Sequence, residues 1–189
     1  MLIRAAILAS LLACSACGQE TSQPEKDGSV NPEAKPVSPA VEIIPTSVSI
    51  LGSDGSEIGE GSVTGGPHGA LIRIEISAGG LAPGWHGLHL HQVGDCSDTG
   101  VFKKSGGHVG KVEGGHGLLN PIGPEGGDIP NIYAHSDGSA GYEALAAFTD
   151  LGDLFDADGA AIIIHADQDD HMSQPIGGAG PRIACGVIQ

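Results

Sequence analysis

Basic residues are scarce in this sequence. Its 189 residues include 8 lysines and arginines against 23 aspartates and glutamates, which gives a formal net charge of −15. Nucleic-acid binding needs a basic face, so the composition excludes that class of partner. The same charge predicts a soluble surface that repels anions, and an anionic substrate would therefore need a local positive patch.

Aromatic residues and long apolar runs are also scarce. Aromatics make up 3% of the chain, whereas glycine contributes 32 residues and proline 12. Short apolar runs between glycine-rich turns are typical of an all-β domain, whose core we expect to consist of strand leucines and isoleucines. The length fits one domain with extensions, and no sequence signal fixes the oligomeric state.

The first 17 residues resemble an export signal. Arg4 precedes the apolar run 5–13, which is too short to span a bilayer. Small residues then lead to Cys14 and Cys17, as at a bacterial lipoprotein cleavage site, where a cysteine is lipidated. Either cysteine fits that role, and ordinary cleavage without a lipid is the alternative.

Residues 18–40 are rich in proline, serine, glutamate, lysine and glutamine. Such a segment cannot bury enough apolar surface to offset the entropy of ordering it, so it is expected to be a flexible linker. The folded domain is then 41–189. Together these features predict an exported protein on the periplasmic side of a membrane, held by an N-terminal lipid anchor.

From residue 41 onward, turn signals separate seven or eight short strands, which predicts a sandwich or closed barrel. The segments are 41–51, 60–64, 71–77, the stretch from 86, 131–135, 140–148, 160–165 and 182–188. Segment 71–77 alternates isoleucines with polar residues, as a half-buried strand does. Segment 95–130 lacks periodicity, and a loop of that length inside a compact domain is usually functional.

The stretch from 86 carries the first candidate metal ligands. On a strand, His89 and His91 point to one face, roughly 6.5 Å apart at Cα, while Leu88 and Leu90 point into a core. Two imidazoles so placed suit copper or zinc. His86 has the opposite parity and should not join them. An amphipathic strand that exposes two histidines is the alternative, and the strand alone does not decide between them.

Further metal-type residues follow in a set order. The long loop carries His108, His116 and Asp128, and segment 160–165 ends at His165, with Asp169 shortly after. Residues 182–186 read Arg-Ile-Ala-Cys-Gly. With the His-x-His strand, these motifs resemble the copper,zinc superoxide dismutases, in particular the bacterial exported branch, over residues 41–189.

The resemblance implies an eight-stranded Greek-key β-barrel or sandwich with long metal-binding loops. It implies copper ligands at His89, His91, His108 and His165. It implies zinc ligands at His116 and Asp128, with His108 bridging the two metals. Three further roles are implied, namely Asp169 hydrogen-bonding histidines of both sites, Arg182 attracting superoxide, and a disulfide between Cys96 and Cys185. The implied reaction is dismutation of superoxide to oxygen and hydrogen peroxide by copper cycling between Cu(II) and Cu(I), with a structural zinc and with His108 as a proton donor.

Glu125 departs from the family pattern. In the family a third zinc histidine sits nine residues after the one matching His116 and three before the one matching Asp128, and here Glu125 holds that position. A carboxylate can bind zinc in place of imidazole. The alternative is a solvated loop glutamate, and both readings stay open at this point.

Two rival functions remain from the sequence. A copper-binding or metal-buffering protein of the same fold would not need Arg182, and an adhesion-type sandwich tethered to a membrane would not need the metal-type residues. Lys103 and Lys104 either enrich superoxide near the loop or are simply solvated. The remaining histidines are expected at the surface, namely His68, His135 and His171.

Overall fold

The computed structural model describes residues 45–189. The signal at 1–17, the linker at 18–40, both lipidation candidates and the first residues of the predicted strand 41–51 lie outside the described residues. Within the described part of the chain, we find no helix that combines the length and the apolar character needed to cross a membrane.

The described residues form nine strands and one short α-helix. The strands are β1 Thr46–Gly52, β2 Glu57–Gly66, β3 Gly69–Ile76, β4 Gly84–His86, β5 Leu88–His91, β6 Ile132–Ala134, β7 Ala140–Ala146, β8 Ala160–His165 and β9 Arg182–Ile188. The helix α1, Leu151–Leu154, is capped at its N-terminus by Asp150, whose side chain accepts a hydrogen bond from the amide of Gly152. Each predicted strand is present, although several boundaries move by a few residues.

Seven of the strands make one antiparallel sheet in the order β5-β8-β9-β1-β2-β3-β7. The other two, β4 and β6, pair with each other. Only Gly87 separates β4 from β5, and a turn joins β6 to β7, so the small pair connects the two edges of the curled sheet. The predicted all-β barrel or sandwich is confirmed.

The strand count exceeds the prediction because the single strand expected from residue 86 onward is divided at Gly87. The amide of Gly87 donates to Asp167, and its carbonyl accepts from the amide of His165. Pairing thus changes at this residue from β6 to β8. A Cβ at Gly87 would lie 2.7 Å from the Cβ of Ala179, so the close approach also requires glycine.

Aliphatic side chains fill the interior of the barrel, as the composition predicted. On β3 the residues Ile72, Ile74 and Ile76 are buried and alternate with exposed neighbours. Leu88 and Leu90 of β5 join the same cluster. The leucines therefore face the core, and the intervening histidines of β5 face the opposite side of the sheet.

A second apolar cluster lies outside the barrel, under the loop that follows β5. Cys96 and Phe102 of that loop pack on Ala161, Ile163 and Cys185. The predicted disulfide between Cys96 and Cys185 is formed, with a Cα–Cα distance of 5.8 Å. Because it fastens the loop to β9, the disulfide holds the loop over the histidine face of β5.

Candidate metal centre

The long loop folds back onto the free edge of β5. His91 pairs with His108 and His89 pairs with Asp128 as isolated antiparallel bridges. The amide of Leu90 donates to Gly127, which completes the contact. His89 and His91 are buried, 0% and 1% exposed, so the reading of an amphipathic strand that exposes two histidines is wrong.

Five buried histidines surround this edge. His89, His91 and His165 form one group, and His89, His108, His116 and Asp128 form a second. Within each group every residue offers a ligand atom that lies within 4.8 Å of the others. His89 belongs to both groups, whereas His108 belongs to the second only. The ring centroid of His108 lies 5.1 Å from that of His91 in the first group and 5.2 Å from that of His116 in its own.

Each histidine of the first group has one ring nitrogen engaged by the protein. His91 Nδ1 lies 2.9 Å from the carbonyl of Gly106, and His165 Nδ1 lies 3.0 Å from that of Gly180. His89 Nε2 lies 2.7 Å from Asp169 Oδ2. Carbonyl and carboxylate oxygens accept hydrogen bonds, so these nitrogens carry the protons and the opposite nitrogen of each ring presents a lone pair.

Those opposite nitrogens are buried and have no hydrogen-bond partner among the described residues. They are His89 Nδ1, His91 Nε2 and His165 Nε2. Both ring nitrogens of His108 and, outside the two groups, His171 Nδ1 are also buried without a partner in the described domain. Buried polar atoms are nearly always satisfied, so a cluster of unsatisfied ring nitrogens indicates a missing partner. Imidazole nitrogens whose other nitrogen is fixed by the protein are typical metal ligands, and the site fits a metal ion.

The rings of the first group are neutral at physiological pH. Burial lowers the pKa of His89 to about 4 and that of His165 to about 3. Burial also holds the pKa of His91 well below its usual value. Metal binding requires neutral imidazole, so these side chains are already in the ligating form.

His116 and Asp128 form the acidic side of the centre. His116 Nδ1 lies 2.8 Å from Asp128 Oδ1, and His108 Nδ1 lies 3.2 Å from the same oxygen. Burial acts to lower the pKa of His116, but hydrogen bonds to Asp128 and Asp169 raise it to about 10. Burial acts to raise the pKa of Asp128, but its close contacts with His108 and His116 hold it below its usual range.

Asp169 connects the two groups. Its Oδ2 contacts His89 Nε2, and its Oδ1 lies 3.3 Å from His116 Nε2. Asn131 fixes the backbone of Asp169 from both sides, donating to its carbonyl at 2.9 Å and accepting from its amide at 3.0 Å. Sequence reasoning missed Asn131, because a single asparagine at the start of a predicted strand carries no local signal.

His171 does not lie free on the surface as expected. Its backbone amide donates to Asp169 Oδ1 at 2.6 Å, and its side chain is 20% exposed. Its φ of 60° is in the left-handed region, which this contact with Asp169 stabilises. His68 and His135 are exposed, as predicted.

Arg182 is held by the same loop that the disulfide fastens. Its Nη1 donates to the carbonyl of Phe102 at 2.7 Å and to Ser105 Oγ at 3.1 Å, and its Nη2 donates to the carbonyl of Gly106 at 2.8 Å. Phe102 has a φ of 47°, and its carbonyl points towards the guanidinium. The loop therefore fixes the position of the positive charge.

Two cavities open beside the centre. One, of about 200 Å³, is lined by His91, His108, Lys111 and Arg182 among others. A second, of about 260 Å³, is lined in part by Lys103, His165 and Arg182. Lys111 was not identified from the sequence, although it follows His108 by three residues.

The sequence alone did not decide whether Lys103 and Lys104 attract superoxide or are simply solvated. The two lysines differ in their surroundings. Lys103 lines one of these cavities. Lys104 instead donates to Ser97 Oγ at 2.9 Å and lies 3.9 Å from Asp95. Lys104 therefore belongs to a surface network, whereas Lys103 and Lys111 supply positive charge at the cavities.

The comparisons with known proteins agree with this geometry. The family described as "Copper/zinc superoxide dismutase (SODC)" matches residues 59–188. A superoxide dismutase [Cu-Zn] of Caulobacter vibrioides is 47% identical over 147 residues, which cover 74% of this chain and 83% of that protein. A superoxide dismutase [Cu-Zn] 1 of Aquifex aeolicus is 38% identical over 150 residues, which cover 76% and 87%.

Solved structures give the same result. A superoxide dismutase-like protein from Bacillus subtilis has a TM-score of 0.70 at 30% identity, covering 76% of this chain and 98% of that one. The Cu/Zn superoxide dismutase from Brucella abortus has a TM-score of 0.62 at 27% identity, covering 77% and 100%. The chain belongs to the copper/zinc superoxide dismutase family.

Proposed function

We propose that this chain is a superoxide dismutase whose cofactors are copper and zinc. Two superoxide anions and two protons give one molecule of oxygen and one of hydrogen peroxide. The observation that carries the proposal is the cluster of buried ring nitrogens without a partner in the described domain, at a cavity lined by Arg182.

Four of those nitrogens are the proposed copper ligands. They are His89 Nδ1, His91 Nε2, His108 Nε2 and His165 Nε2. Copper is one of the transition metals that imidazole ligands suit. Copper bound there would supply the one-electron oxidation and reduction that dismutation needs, by alternating between its cupric and cuprous states.

The second group is the proposed zinc site. Asp128 Oδ1 lies 2.8 Å from His116 Nδ1 and 3.2 Å from His108 Nδ1, so one carboxylate oxygen is close to a nitrogen of each ring. His108 would therefore hold copper through Nε2 and zinc through Nδ1. When Nε2 is not a ligand, it could hold a proton at the cavity and donate it to the peroxide product.

Arg182 is proposed to attract and orient superoxide. The net charge of −15 makes the average field repulsive to an anion, so a local positive charge is needed at the cavity. The guanidinium is permanently charged and presents a planar set of donors, which suits a small anion. Lys103 and Lys111 add positive charge to the same cavities.

The proposal is tested on purified protein by titrating copper and zinc and measuring both metal content and superoxide removal. One copper per chain should bind, and activity should increase in proportion to bound copper. Because burial keeps the first-group rings neutral, protonation of these three rings should not limit copper binding between pH 5 and 8. Copper-loaded protein without activity would instead indicate a metal buffer, which no feature of the site favours over the enzyme.

We also propose that the chain is exported and anchored by lipid at Cys17 or Cys14. The supporting observations are the signal-like start, the polar segment 18–40 and a disulfide, which persists in oxidising compartments. Protein made in its host should partition with membranes and carry the mass of acyl chains, and substituting both cysteines should release it. Recovery of unaltered protein without lipid in the soluble fraction would contradict the anchor.

A further inference from the structure

Glu125 is a buried carboxylate at the edge of the proposed zinc site. The residue is 3% exposed, although it lies in a glycine-rich loop of a strongly acidic chain. A solvated loop glutamate would keep its carboxylate in water. Burying a carboxylate costs free energy unless hydrogen bonds, an opposite charge or a metal ion compensates it.

The two oxygens of Glu125 have different surroundings. Oε1 accepts a hydrogen bond from the amide of Val112 at 3.2 Å, and Oε2 lies 2.8 Å from His108 Nδ1. The two oxygens of Asp128 also have different contacts. Its Oδ2 accepts from the amides of Gly117 at 2.7 Å and Glu125 at 2.9 Å, and its Oδ1 faces the histidines.

The close contact between Glu125 and His108 is not a hydrogen bond. His108 Nδ1 has no hydrogen-bond partner among residues 45–189, although the distance of 2.8 Å would allow one, so the angles do not suit it. Two ligands of one tetrahedral zinc ion, each about 2.0–2.2 Å from the metal, are separated by roughly 3.3 Å. At 2.8 Å the pair is close enough to share one ion but about 0.5 Å nearer than two such ligands, so Oε2 would move slightly away from His108 when zinc binds.

We propose that Glu125 is the fourth protein ligand of the zinc ion, through Oε2. The site would then consist of His108, His116, Asp128 and Glu125, and four protein ligands make a closed structural zinc site. This inference rests on the proposed function only for the assignment of this site to zinc. It gives the chain two imidazoles and two carboxylates where the family pattern has three histidines and one aspartate.

Metal binding requires a small movement of Glu125. The residue stands outside the group of four whose ligand atoms all lie within 4.8 Å of one another. The hydrogen bond from Val112, at 3.2 Å, is long, so the terminal side-chain torsion of Glu125 can adjust without the loss of a strong interaction. The backbone of Glu125 is already fixed by its bond to Asp128, so the loop itself need not move.

The test measures zinc affinity by competition with a chromophoric chelator on copper-free protein. Glu125→Gln and Glu125→Ala should weaken zinc binding by roughly 10–100-fold or more, the range seen when even outer partners of a metal site are lost. Glu125→His, which restores an imidazole, should bind zinc within about tenfold of the unaltered protein. The matched control is Glu113→Gln in the same loop, because Glu113 is exposed, and its zinc affinity should not change.

Zinc binding in Glu125→Gln that equals that of the control would overturn the proposal. A second measurement does not depend on how the variants fold. In a crystal structure of the unaltered, zinc-loaded protein, Oε2 of Glu125 should lie about 2.0–2.2 Å from zinc. A water molecule in that position, with Glu125 turned away, would contradict the inference.

The same samples separate this inference from the proposed function. Copper content and superoxide removal of the unaltered, copper-loaded protein test the enzyme and do not depend on Glu125. If that protein is active while Glu125→Gln keeps full zinc affinity, only the Glu125 inference fails. If it is inactive while zinc binding falls in Glu125→Gln, only the proposed function fails.

Discussion

Arg182 and His91 donate hydrogen bonds to the same acceptor, the carbonyl oxygen of Gly106, at 2.8 and 2.9 Å. One peptide group thus fixes both the proposed anion-attracting charge and the tautomer of a proposed copper ligand. The loop that carries this peptide is fastened by the disulfide between Cys96 and Cys185. The position of the Arg182 guanidinium therefore depends on a loop held by a covalent link in an outer apolar cluster.

Removing the disulfide should destabilise the domain more than it affects copper binding. The bond closes a loop of 89 residues, and such long loops are associated with a stabilisation of roughly 4–5 kcal/mol in the chain-entropy model, with 2–4 kcal/mol typical of measurements. The double variant Cys96→Ser, Cys185→Ser should lower the free energy of unfolding by an amount within these two ranges, as measured by urea titration. Copper stoichiometry should stay at one per chain, because neither cysteine is a proposed ligand.

Unaltered domain kept in a reductant provides the control, since it should approach the stability of the double variant. Thiol titration of the oxidised, denatured domain 41–189 should find no free thiol. A double variant as stable as the oxidised protein would show that the loop is held without the bond.

Asp169 should influence both metals although it is a ligand of neither. Its two oxygens contact His89 and His116, one histidine from each group. Asp169→Asn removes the negative charge and replaces one of the two acceptor oxygens with an amide nitrogen. One ring then loses its acceptor and the other keeps only a neutral one, so copper and zinc affinity should each fall roughly 10–100-fold. Competition titrations with each metal measure this.

Asp156→Asn, at an exposed aspartate, is the matched control and should leave both affinities unchanged. A loss confined to one metal would show that Asp169 does not couple the two groups.

The metal-free domain should be most stable near pH 6.5. Burial lowers the pKa of His89 to about 4 and of His165 to about 3, so below pH 6.5 the unfolded chain takes up protons that the folded chain does not. The free energy of unfolding then falls with decreasing pH, at up to about 1.4 kcal/mol per pH unit for each group. The lowered pKa values of Asp128 and Asp169 continue this loss below pH 4.

Above pH 6.5 the trend reverses. Although burial opposes it, hydrogen bonds to Asp128 and Asp169 raise the pKa of His116 to about 10, so the folded chain keeps a proton that the unfolded chain has released. The free energy of unfolding should therefore fall as the pH rises from 6.5 towards 10. Urea titrations in the presence of a metal chelator measure the free energy of unfolding on both sides of pH 6.5. A free energy of unfolding that is constant from pH 4 to 9 would contradict these pKa shifts.

Local patterns in the sequence predicted the parts of the site that depend on strand parity. The alternation of Leu88, His89, Leu90 and His91 predicted which side chains face the core, and the structure agrees. The burial of the two histidines could not be predicted locally, because it comes from a loop that returns 17 residues or more later, at His108 and Asp128. The division of one predicted strand at Gly87 has a similar cause, a change of pairing partner from β6 to β8.

The residues that hold the site in place through hydrogen bonds could not be predicted from the sequence either. Asn131, Ser105 and Gly106 act through hydrogen bonds to residues far away in the chain, and such contacts leave no periodic signal. Glu125 had two equally plausible readings in the sequence, because a carboxylate is common in an acidic loop. Because Glu125 is buried against His108, it is not a solvated loop residue, and this burial supports the zinc ligation that we propose.

The central claim is that this site is a catalyst that draws an anion to a metal, and the superoxide rate of Arg182→Ala at matched copper content tests it most directly. Arg182 donates to loop carbonyls and contributes no ligand, so copper content should not change. The rate constant should fall at least tenfold, Arg182→Lys should lose less because the charge survives, and rising salt should slow the unaltered protein more than the alanine variant. A copper-loaded Arg182→Ala protein with the full rate and the same salt dependence as the unaltered protein would contradict the account.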